Sequence, residues 1–76
     1  MPSIRQVRKQ IGETIRELRR AAGFSQEKLA EKADLHPVYL GQVERGEKAV
    51  SVEAVWKISK ALKVDMAKIF EKAGAS

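Results

Sequence analysis

The chain has no cysteine and only one histidine, so disulfides cannot reinforce it and a His/Cys zinc site cannot be assembled. It has no run of about 18 apolar residues, and the amino-terminal segment reaches only Ile4 before Arg5, Arg8 and Lys9 interrupt it. Neither a membrane span nor a signal peptide is expected, and the chain reads as soluble and cytoplasmic. A glycine-rich phosphate loop is also missing. His36 is the sole imidazole, and Ser3, Ser25, Ser51 and Ser59 fall where helix caps or helix surface account for them. No nucleophile, base and orienting group can be drawn from such a set, so no enzyme, metal or cofactor is expected.

What is present suits one small domain spanning residues 1–76. A chain of 76 residues buries only roughly 60% of its unfolded surface on folding and has little stability to spare. Its net charge is +5 and its sequence pI about 9.8, with 33% of residues charged. That balance suits a polyanionic partner, although mixed charge on helix surfaces also serves solubility.

The pattern along the chain predicts five helices and no strand. Ser3 with Gln6 forms a capping box, and Ile4, Val7, Ile11, Ile15, Leu18 and Ala22 then step by three or four until Gly23 ends the first helix. Ser25 caps the second, with Glu27 in its first turn where the helix dipole favours negative charge. Pro37 marks the first residue of the third, and Arg45 and Gly46 close it. Ser51 caps the fourth, with Val52, Val55, Ile58 and Leu62 inward, and Asp65 caps a short fifth with Ile69 and Phe70 inward. Residues 73–76 are expected to fray. The short connections leave room only for a compact all-helical bundle, with no linker or repeat.

Residues 25–46 are the most informative part of this pattern. Leu29, Ala30 and Ala33 on one short helix and Leu40 and Val43 on the next are spaced as buried stripes, with only a tight turn between them. Such a pair reads as a helix-turn-helix core, with the fourth and fifth helices occupying residues 51–72. In that motif the first helix crosses a phosphate backbone and the second enters the DNA major groove.

At larger scale, Ile11 to Phe70 resembles the five-helix DNA-binding domain of the lambda-repressor-like superfamily, with phage-type repressors and restriction-modification controller proteins as the nearest groups. The resemblance rests on an ordered set: Leu18-Arg19 followed by Gly23, SQEKLA from Ser25, Tyr39-Leu40, Glu44-Arg45-Gly46, and SVEAVWKISKAL from Ser51. It implies a sequence-specific transcriptional regulator that binds double-stranded DNA at a palindromic operator as a homodimer. Two positions depart from the family pattern. Asp34 stands where glycine is usual, and a left-handed conformation is tolerable there at some cost. His36 stands where serine, threonine or aspartate commonly caps the recognition helix, which implies a weaker or water-mediated cap, or a side chain turned to DNA.

The resemblance assigns further roles. It makes Gln26 a donor to a backbone phosphate, against the plainer reading of a solvated first-turn residue. It places base contacts at Pro37, Val38 and Gln42, in a group of outward positions that includes Gly41. Gln42 suits an adenine edge, while Pro37 and Val38 offer apolar contact to a thymine methyl. The alternative is that Val38 packs the helix and Gln42 faces solvent. Direct readout is thin, so DNA shape is expected to carry part of the specificity. Tyr39 has a ring suited to the core edge and a hydroxyl suited to a phosphate. Lys28, Arg45 and Lys48 are candidates for the backbone. Arg19 and Glu44 correspond to a partly buried ion pair joining the first helix to the recognition helix, the alternative being two separate surface charges.

Val55, Ile58 and Leu62 already supply an inward stripe, which leaves Trp56, with Met66, Ile69 or Phe70, for a dimer surface or, more simply, for the core edge. No ligand-sensing segment accompanies the domain, so no small-molecule ligand is expected. The competing reading is an antitoxin-like or bridging module that uses the same fold to hold another protein.

Overall fold

A computed structural model describes residues 1–74. Its helices are α1 (Ile4–Ala21), α2 (Gln26–Lys32), α3 (Pro37–Glu44), α4 (Val52–Leu62) and α5 (Met66–Lys72), with no strand among the described residues. The main packing pairs are α1 with α3 and α5, α2 with α3 and α4, and α4 with α5. The five helices therefore close a ring around one core. Ile15, Leu29, Leu40, Ile58 and Ile69, one from each helix, are all 0% exposed at its centre. Burying a side chain of that size contributes about 1.5–3 kcal/mol.

Local chemistry starts each helix. Ser3 Oγ accepts from the Gln6 N–H at 3.2 Å while the Ser3 N–H donates to Gln6 Oε1 at 2.8 Å, the reciprocal box that opens α1. Ser25 and Ser51 accept from the N–H groups of Lys28 and Ala54, each at 3.0 Å. Asp65 occupies the N-cap of α5 but makes no side-chain cap bond, so its expected capping role is limited to backbone geometry. Asp34 takes φ 54° in the turn between α2 and α3, the left-handed conformation expected there. Lys63 does the same at φ 58° after α4, which nothing in its side chain signals.

Several expected inward positions lie at the rim instead. Ile4 and Val52, each the first residue of its helix, are 68% and 75% exposed, and Ala22 is exposed beyond the end of α1. Periodicity assigns a face, and a first turn that overhangs its neighbours has nothing to bury that face against. Ser59 is buried rather than at the helix surface, and its hydroxyl donates to the Trp56 carbonyl at 2.7 Å. Ala73 is also buried, as the C-cap of α5. Gly74 follows in an exposed turn, and the rest of the expected frayed end, residues 75–76, lies outside the described residues.

Two glycines permit close approaches that hold α3 against α1. A Cβ on Gly12 would collide with the carbonyl oxygens of Val43 and Glu44, so α1 can meet the end of α3 only without one. Gly46, at φ +75°, brings the chain after α3 so near α1 that an added Cβ would lie 2.9 Å from Lys9 Cα.

Candidate nucleic-acid interface

The third helix, α3, divides its residues sharply. Leu40 and Val43 enter the core, Glu44 is buried behind them, and Val38 is left 61% exposed. Pro37 is also exposed, while Gln42 and Tyr39 are half-buried. Pro37, Val38, Gln26 and Arg45 line one open groove between the start of α2 and α3. Gly41, expected to face outward, is buried in that groove's floor, 3.2 Å from an Arg45 guanidinium nitrogen and 3.5 Å from Gln26 Oε1 when given a Cβ. The helix places it outward, but these two side chains fold over it.

His36 caps α3 directly, its Nδ1 accepting from the Val38 N–H at 3.1 Å. Of the two expectations for this cap, weaker or water-mediated, the direct bond removes the second. An acceptor imidazole nitrogen two residues before the N–H reaches it as a carboxylate or hydroxyl would. The bond assigns the proton of the neutral ring to Nε2, leaving that nitrogen as the available donor.

The position of α3 is held by a buried cluster centred on Glu44. Arg19 donates through Nε to Glu44 Oε2 at 2.7 Å and through Nη2 to Oε1 at 3.0 Å, a bidentate fork. Its third donor, Nη1, reaches the Phe24 carbonyl at 2.9 Å, which fixes the turn before α2. Gln26 Nε2 adds a bond to Glu44 Oε1 at 2.9 Å, and Arg16 Nε lies 3.5 Å from the same oxygen. Burial is the largest single influence on the Glu44 carboxyl and pushes its pKa up. The hydrogen bonds from Arg19 and Gln26, with the charges of Arg19 and Arg16, outweigh it and hold the pKa below the ordinary glutamate value. Of this cluster, sequence reasoning located Arg19 and Glu44 and missed Arg16, the inward link of Gln26, and Gly12. A glycine inside a helix costs about 1 kcal/mol against alanine, and that anomaly was the available signal for Gly12.

The other candidate backbone residues are scattered around α3. Arg45 is exposed and pairs with Glu47, through Nε to Oε2 at 2.8 Å and Nη2 to Oε1 at 3.3 Å, a partner the sequence did not suggest. That bond holds the Glu47 pKa below its ordinary value and the Arg45 pKa above its own. Tyr39 packs its ring on the core, and its hydroxyl accepts from the Ser51 N–H at 3.3 Å, with the Ala49 carbonyl 3.5 Å away. Lys28 is exposed beside Glu31 at 3.2 Å, and Lys48 is exposed in the loop after α3.

At the far end of the bundle, Trp56 is 50% exposed and borders a groove with Met66, and Lys60 Nζ lies 5.5 Å from its ring centroid. Met66 and Phe70 are half-buried against the core. Ile69 is wholly enclosed at 0% exposure and has no surface to give a partner, which removes it from the expected dimer set. In a two-turn helix it is the residue aimed straight at the bundle axis.

Two short helices joined by a left-handed turn, the second braced from behind and open in front, define a helix-turn-helix DNA-binding domain. A family model described as Helix-turn-helix (HTH_3) matches residues 15–69. Control protein C.BamHI of Bacillus amyloliquefaciens is 44% identical over 59 residues, 76% of this chain and 73% of that protein. Control protein C.SmaI of Serratia marcescens is 36% identical over 64 residues, 84% of this chain and 76% of that protein. The solved structure of the restriction-modification controller protein C.AhdI from Aeromonas hydrophila superposes with a TM-score of 0.81 at 40% identity, covering 83% of this chain and 96% of that one. The chain belongs to the helix-turn-helix family, and its class is that of DNA-binding transcriptional regulators. Among the described residues no helix is long and apolar enough to cross a membrane.

Proposed function

We propose that this protein controls transcription by binding a palindromic operator as a homodimer, with α3 of each copy in the major groove. The observation that carries this reading is the exposure of Val38 and Pro37 at the start of a helix whose back is locked by the Glu44 cluster. A helix so braced presents its front as a rigid surface, which base readout requires. Pro37, Val38 and Gln42 face base edges. Gln26, Lys28, His36, Tyr39, Arg45 and Lys48 serve the flanking phosphates, His36 through Nε2–H. Gln26 keeps one amide hydrogen for this after bonding Glu44.

A single domain reads too few bases to single out one site, whereas two related by a twofold axis read half-sites about 34 Å apart or a multiple of that. Trp56, Met66 and Phe70 form the dimer surface, on helices remote from the reading face. By analogy with the restriction-modification controller protein C.AhdI, the regulated process is restriction and modification, with the protein's own concentration setting occupancy through dimerisation. It works without a catalytic step, a cofactor or a small-molecule ligand, inside the cytoplasm.

Selection of bound duplexes from a random pool tests this reading, combined with sedimentation of the wild type and Trp56→Ala. A palindromic motif and a dimer weakened by Trp56→Ala are the expected results. A protein that stays monomeric at high concentration and selects no motif would overturn the proposal in favour of a protein-holding module.

A further inference from the structure

The first two turns of α1 carry Arg5, Arg8 and Lys9 and no acidic residue, and they precede the segment matched by the family model, which begins at residue 15. Arg5, in the first turn, opposes the helix dipole, so local helix stability does not account for it. Among the described residues none of the three makes an ion pair or a side-chain hydrogen bond. Arg8 Nε is buried without a partner. The capping box of Ser3 and Gln6 nevertheless fixes this stretch as helix, and the close approach of Gly46 to Lys9 sets it against the turn that follows α3. Arg5, Arg8 and Lys9 thereby line one groove with Arg45, Gly46 and Glu47. The single anion in that groove, Glu47, is already held in a fork by Arg45. Three positive charges thus stand together beside the end of α3 with no ion-pair partner among the described residues.

We propose that Arg5, Arg8 and Lys9 form a second phosphate-binding surface, which takes the DNA backbone flanking the bases faced by α3. The inference rests on the operator-binding reading above and extends its footprint outward along the duplex. Arg5 and Lys9 lie about 6 Å apart along the helix axis, so they meet the backbone as a short row rather than a single point. Such contacts carry no base information. They raise affinity for every sequence and make binding more sensitive to salt.

The test compares the salt dependence of binding for the wild type and for the double variant Arg5→Gln, Lys9→Gln. Two duplexes are used: the selected site with long flanks and the same site trimmed at its outer base pairs. Arg5→Gln alone, at an exposed position, serves as a second variant if the double variant melts early. The wild type is expected to show a steeper slope of log K against log salt on the long duplex than on the trimmed one. The double variant, which keeps Arg8, should bring the long-duplex slope most of the way toward the trimmed value, by about 0.9 for each phosphate no longer neutralised. The selected motif should not change. Equal wild-type slopes on the two duplexes, or a double variant that keeps the wild-type slope, would overturn the inference while leaving operator binding intact. A wild type that distinguishes no sequence on either duplex would instead remove the operator reading and this surface with it.

Discussion

Two arginine–glutamate forks sit at the end of the recognition helix, their glutamates three residues apart in sequence and their geometries alike. Arg19 and Glu44 meet at 2.7 and 3.0 Å, Arg45 and Glu47 at 2.8 and 3.3 Å. Their surroundings differ: side-chain exposure is 10% and 0% in the first pair against 49% and 55% in the second. The buried pair spans two helices and is tied to Phe24 and Gln26, so breaking it strands a charge away from water. The exposed pair links neighbours in one turn, and either partner can be given to solvent or to a phosphate at little cost. The same chemistry is therefore structural in one place and available for exchange in the other.

The largest expected effect breaks the buried side of this comparison. Glu44→Ala leaves Arg19 and Arg16 without their acceptor and should destabilise the fold by about 3–5 kcal/mol, read by denaturant unfolding. A cost no larger than that of Glu47→Ala would mean that burial does not separate the two forks.

Acid should act on the buried pair next. Because the Glu44 pKa is lowered in the folded state, its contribution is present above the ordinary glutamate value of about 4.3 and is lost as pH falls through the lower native value. The melting temperature of the wild type should thus drop below about pH 4. Glu44→Gln should give a flatter profile in that window, and parallel profiles would reject the assignment.

A smaller effect belongs to the reading face. Gln42→Ala should reduce affinity for the selected site by about 1–3 kcal/mol and relax the preference at one base position, measured by titration against single-base variants of the duplex. An unchanged motif would show that Gln42 does not read bases.

The smallest change in stability is expected on the exposed side. Glu47→Gln should leave unfolding unchanged while freeing Arg45 and removing a negative charge from the groove, so DNA binding should tighten uniformly across sequences. Weaker binding would show that Glu47 positions Arg45 rather than competing for it.

Much of this arrangement was legible in the sequence because caps and turns are local. Ser3 with Gln6, Ser25, Ser51 and Pro37 each mark a helix start through bonds made within three residues, and Asp34 takes the conformation its turn requires. The candidate site was legible only in part. Gln26, Pro37 and Val38 do share a groove, but Gly41 lies beneath the side chains of Gln26 and Arg45. Which neighbour covers a residue is not a local property.

The order and type of the five helices, the two-helix core at residues 25–46 and the surplus of positive charge were determined by the sequence itself, since periodicity, capping and composition act over a few residues. Tertiary structure alone decided that Ile69 belongs to the core and not to a partner, and that Ile4 and Val52 stand outside it. It also gathered Arg19, Gln26 and Glu44, with Arg16 at the edge, into one cluster while leaving Arg5, Arg8 and Lys9 without an ion pair among the described residues, beside the recognition helix. The physical reason is that burial and charge pairing are set by what lies across the gap between helices, and that gap is closed only when Gly12 lets α1 meet α3.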